Sequence, residues 1–77
     1  MYLTEDKIRD FENSLYLSEK SRATVIKYSA ALHGLRVYLA GNEISKQRLL
    51  EYRDLLLQKR RANTVNGALS AINYYLE

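Results

Sequence analysis

The stretch SRATVIKYSAALHGLRVYLAG, Ser21–Gly41, decides the fold class. Val25, Tyr28, Leu32, Leu35 and Leu39 recur at alternating three- and four-residue steps. That spacing lines one side of a helix and cannot line one face of a strand. Ser21, just ahead of the first of them, is placed to cap the helix start. Gly41 is placed to stop it. Gly34, inside, costs about 1 kcal/mol relative to Ala. It either lets another helix approach closely or is simply tolerated.

Working outward, the same grammar repeats. Toward the N-terminus, Thr4 caps a helix from about Glu5 to Leu17, with Ile8, Phe11 and Leu15 on one face. Glu5 and Asp6 fall in its first turn, where the helix dipole favours acids. Toward the C-terminus, Ser45 caps a third helix in NEISKQRLLEYRDLLLQK. Ile44 and Leu49 are spaced as a hydrophobic staple, and Leu49, Tyr52 and Leu56 form the inner face. A fourth helix begins near Asn63 and runs to the end of the chain, with Val65, Leu69, Ile72 and Leu76 as its stripe. Asn66-Gly67 is a hairpin-type dipeptide, but its surroundings keep a helical period. The reading is an all-α, four-helix domain over residues 1–77.

Composition agrees. The 77 residues contain no proline and no cysteine, so neither a disulfide framework nor a zinc-finger spacing exists. The apolar runs are too short to span a membrane. MYLTEDKIRDF lacks the basic-then-apolar layout of a signal peptide. His33 stands alone, without a second histidine or a cysteine to share a metal. Tyr28 and Tyr52 fall on apolar faces, and no carboxylate pair stands out. No catalytic residue, metal site or cofactor is read in this chain.

Charge is informative by position. The net charge is +3. Ser18–Gly41 carries four cations (Lys20, Arg22, Lys27, Arg36) against Glu19, and Gln58–Leu76 carries Lys59, Arg60 and Arg61 against no acid. Lys20 and Arg22 flank the cap of the second helix, and Lys46 and Arg48 open the third. Lys59, Arg60 and Arg61 favourably end the third helix, yet no acid follows in the first turn of the fourth. Cations at helix starts oppose the dipole, and a bound phosphate reverses that sign. Short polar side chains accompany them: Ser21 and Thr24 on the second helix, and Asn63, Thr64, Asn66, Ser70 and Asn73 on the fourth. Asn suits adenine and Arg suits guanine. Ser21 and Asn63 also serve as caps, and Thr24 can bond within its own turn. The reading expects the two basic helix starts to adjoin as one electropositive ridge.

SRATVIKYSAALHGLRVYL resembles the S-x-x-T-x-x-x-Y-x-x-x-L segment of tyrosine recombinases and phage-type integrases. EISKQRLLEYRDLL is similar to that family's next helix, and NTVNGALSAINYYL to its T-x-N-x-x-L-S-A-I segment. The three occur in order over nearly the whole chain. The resemblance implies a compact SAM-like orthogonal bundle, the N-terminal core-binding domain. It implies double-stranded DNA as partner, gripped by the second and fourth helices. The implied DNA-contacting residues are Lys20, Ser21, Arg22, Thr24, Lys27, Lys59, Arg60, Arg61, Asn63, Thr64 and Asn66. Gly67 departs from the pattern, since relatives carry a longer polar or basic side chain there. The family's cleavage chemistry, a tyrosine nucleophile with Arg, Lys and His helpers, belongs to a C-terminal catalytic domain. The resemblance therefore implies a non-enzymatic module of a longer bacterial or phage-encoded cytoplasmic recombinase. Its further partners would be that catalytic domain and other recombinase protomers on DNA.

Two other readings stand beside it. Seven tyrosines, including the adjacent Tyr74 and Tyr75, suit a helical protein-interaction module that binds no nucleic acid. A helix-turn-helix repressor would need a tight turn, often with Gly, which the sequence does not display. Membrane-surface binding fits least, because the helices alternate in charge and carry buried-type stripes.

Overall fold

Three of the four helices start at a side-chain oxygen. In the computed structural model, which describes residues 1–76, α1 is Glu5–Leu17, α2 Arg22–Leu39, α3 Lys46–Lys59 and α4 Ala62–Leu76. Thr4, Ser21 and Ser45 accept from the amides of Lys7, Thr24 and Arg48 respectively, each satisfying a donor that the helix leaves open. The fourth start differs from expectation. It falls one residue earlier, so Asn63 lies inside the first turn and is not the cap. The Val65 amide donates to the Arg61 carbonyl at 3.1 Å, which puts Arg61 at the boundary. Glu77, included in the expected fourth helix, lies outside the described residues.

The ends of α1 and α2 are set by left-handed residues. At the end of α1, Lys20 N–H donates to Leu15 O and Glu19 N–H to Tyr16 O, with Glu19 at φ 59°. This is the paired closure that normally favours Gly at the left-handed position. At the end of α2, Ala40 takes φ 49° and Gly41 φ 86°. Gly41 was expected to cap alone; Ala40 turns first, and Gly41 continues the reversal. A Cβ in this region costs roughly 1–2 kcal/mol, partly offset by the entropy that glycine loses on folding. Ala40→Gly is expected to stabilise the fold by about 0.5–1 kcal/mol. Urea denaturation checks this, and an unchanged or lower midpoint contradicts it.

The helices form a four-helix bundle, and among the described residues there is no strand. Its core is Leu3, Ile8, Leu32, Leu35, Leu39, Tyr52 and Ile72, flanked by Phe11, Ile44, Leu49, Leu56 and Tyr75. The α2 stripe supplies Val25, Leu32, Leu35 and Leu39 as buried residues. Ile44 and Leu49 both pack on the core, as a staple requires. In α4 the buried residues are Val65, Ala71 and Ile72. Leu76, expected in the stripe, is 38% exposed, and Tyr75 packs inward instead.

Packing direction matters most for the site. Lys20, just before α2, places its Nζ 5.9 Å from the Tyr74 ring centroid, near the end of α4. Tyr28 and Tyr74 rings lie 5.6 Å apart. One turn further along α2 than Thr24, Lys27 lies over Gly67. The chain just before α2 thus lies near the end of α4, while Lys27, Ala30, Ala31 and Gly34 share a cleft with the first turns of α4. An N-terminal strap, unanticipated from the sequence, closes the other end. The Met1 carbonyl accepts from Ile44 N–H at 2.8 Å, and the terminal ammonium pairs with Glu43 at 2.6 Å. The hydrogen bond from that ammonium holds the Glu43 carboxyl below its ordinary pKa.

Candidate nucleic-acid interface

The packing of α4 on α2 decides which cations meet. The first turn of α4 lies against the middle of α2, not against its start. Ala31 lies ten residues beyond Ser21, about 15 Å along the axis. From the two basic helix starts, Lys27 and Arg60 share one cleft, and Arg22 does not line it.

A cleft of about 530 Å³ opens between α2, α3 and α4. Lys27 comes from α2, Arg60 from the turn after α3, and Asn63 and Thr64 from the first turn of α4. The floor is Ala30, Ala31, Gly34, Leu56, Gly67 and Ala68, with Tyr52 from α3. The α3–α4 connection is only Arg60 and Arg61. Arg60 N–H donates to Leu56 O at 2.8 Å, ending α3 before the chain extends at φ −135°, ψ 162°. That short extended step holds Arg60 beside the start of α4.

The electrostatics are one-sided. Among the described residues no carboxylate lies within ion-pair distance of Lys20, Arg22, Lys27, Lys59, Arg60 or Arg61. The ion pairs formed are Met1–Glu43, Arg9–Asp6, His33–Glu12 and Arg53–Asp54. Among the described residues, no acid lies in the first turn of α4. Its leading amides point toward the end where Arg60 sits. Burial raises the Tyr52 phenol pKa, and the nearby Arg60 charge pulls it the other way.

Of the residues singled out from sequence, Lys27, Arg60, Asn63 and Thr64 are brought together. Lys20 is held over Tyr74, toward the other end of α4. Ser21 and Thr24 bond each other, hydroxyl to hydroxyl, at 2.9 Å, so their first role is the cap. Arg22 is exposed and stands five residues from Lys27, about 140° around the helix, on another flank. Lys59, Arg61 and Asn66 are exposed outside the cleft.

The sequence reading missed Tyr52 as a cleft residue, because its period placed it in the core. It is 7% exposed, so both descriptions hold. Gly34 is the signal that could have marked it. A Cβ there would sit 2.8 Å from the Tyr52 hydroxyl, so Gly34 is a close-approach glycine. Gly67 differs. A Cβ there would meet Lys27 Cε and Nζ at 3.4 Å, an ordinary contact. The space over Gly67 is thus covered by a basic side chain from α2. Gly67→Ala is expected to raise stability by up to about 1 kcal/mol through helix propensity, read as a higher melting temperature. A fall would mean that Lys27 cannot give way.

No helix of the described residues is long and apolar enough to cross a membrane. No group of three or more His, Cys, Asp or Glu among them is placed to hold a metal ion. No family model, curated protein or solved structure matches the chain.

Proposed function

We propose that this chain is a double-stranded DNA-binding module, the core-binding domain of a tyrosine recombinase, acting in the cytoplasm of a bacterial host. The observation that carries the reading is the meeting of Lys27 and Arg60, neither with a carboxylate partner among the described residues, beside Asn63 and Thr64. Phosphate contacts from Lys27, Arg60 and the flanking Arg61 and Lys59 would position the module. Asn63, Thr64 and Asn66 on exposed positions of α4 are suited to base edges. Arg22 would serve a neighbouring phosphate on the outer flank of α2. The module carries no chemistry of its own. A catalytic domain on the same parent chain and further protomers on DNA complete the proposed assembly.

Anisotropy titration with duplex DNA tests this. About five phosphate contacts give a log–log salt slope near −4.5. A binding isotherm insensitive to salt rejects the proposal.

One observation favours a protein-interaction reading. Ile26 and Val37 are 57% and 75% exposed on the outer side of α2. Salt-insensitive self-association, with no response to duplex DNA, would select it.

A further inference from the structure

Tyr52 combines two properties that conflict in an ordinary core residue. It is 7% exposed, yet its hydroxyl makes no hydrogen bond among the described residues. No fully buried side-chain polar atom there lacks a partner, so this oxygen must open onto the cleft it lines. A phenol, protonated at neutral pH, is a donor waiting for an acceptor. Arg60 is close enough for its charge to act on that phenol. Lys27 reaches the same cleft from α2, lying along Gly67. The rest of the lining is small and apolar: Ala31, Gly34 and Ala68 raise no ridge above a methyl group. A volume of about 530 Å³ falls in the range of small-molecule sites.

We propose that this cleft binds a small phosphate monoester carried on a flat apolar body, its phosphate taken by Arg60 and Lys27 and hydrogen-bonded by the Tyr52 hydroxyl. Two cations match the charge of a monoester dianion better than that of a monocarboxylate. The methyl-and-glycine floor accepts a planar ring. Duplex DNA presents singly charged phosphodiesters, whereas two cations match a dianionic monoester, so a free ligand is the source. The inference uses the two cations of the DNA reading but stands on Tyr52, and the test separates the two.

Phenyl phosphate is titrated into the whole chain and followed by amide chemical shifts, with inorganic phosphate and benzoate in parallel. Saturable shifts at Gly34, Thr64 and Gly67 are expected with phenyl phosphate, and binding at least tenfold weaker with either comparator. Tyr52→Phe should weaken phenyl phosphate about tenfold, the size of one hydrogen bond to a charged group. The same variant should leave duplex affinity within twofold. Lys27→Gln, on an exposed side chain, should also weaken phenyl phosphate at least fivefold, and it serves if Tyr52→Phe does not fold. Shifts that never saturate overturn the site. Equal binding of inorganic phosphate overturns the apolar component, and equal binding of benzoate overturns the phosphate assignment. An unchanged affinity in a folded Tyr52→Phe overturns the hydroxyl's role.

Discussion

Replacing both Lys27 and Arg60 by Ala is expected to weaken duplex binding roughly 60-fold at 0.1 M salt. Each lost phosphate contact removes about 0.9 from the log–log salt slope, so the pair flattens it by about 1.8. Affinity and slope must move together, since both arise from displaced counterions. Among the described residues neither side chain has a carboxylate partner whose charge would be left stranded, so the fold should survive within about 0.5 kcal/mol. Arg9→Ala is the control. Arg9 sits on α1 beside Asp6 at 3.9 Å, away from the cleft, and its loss should change neither quantity. Weaker binding with an unaltered slope would show that the variants act through shape, not charge.

Leu32→Ala is expected to cost about 3 kcal/mol of unfolding free energy. Leu32 is fully buried at the middle of α2, in the central cluster with Ile8, Leu35 and Ile72. Truncation loses the transfer free energy of the removed carbons and leaves a cavity that the helices on either side cannot collapse. A chain of this size has roughly 4–12 kcal/mol in all, so the change removes a large share. The melting temperature should fall by roughly 12–24 °C. Val37→Ala, on the same helix but facing solvent, should shift it by little. Equal effects of the two would mean that the α2 stripe is misassigned.

The helices themselves were legible because local rules fix them. Ser21 and Ser45 mark their starts by a hydroxyl that can only help there, and the α2 stripe needs no partner to be seen. What could not be read was who faces whom. Arg22 and Arg60 look alike in sequence, as cations at helix boundaries, yet only Arg60 lines the cleft. Of the basic candidates on α2, Lys27 is the one that joins it there. The strap from Met1 to Glu43 and Ile44 was equally invisible, because its backbone hydrogen bond and terminal ion pair are long-range contacts that leave no periodic pattern. Ala40 shows the limit at finer grain. A glycine one residue later was the better local candidate, but the packing of Leu39 into the core fixes where the chain must turn.

The lack of carboxylate partners for the cleft's cations, among the described residues, also governs what a distant charge would feel. A close ion pair looks nearly neutral from afar, whereas a lone exposed cation projects its field into the solvent. The far field on this side of the molecule is therefore written by its unneutralised side-chain charges. Added salt should then erase its long-range pull on anions almost completely, leaving recognition to contact alone.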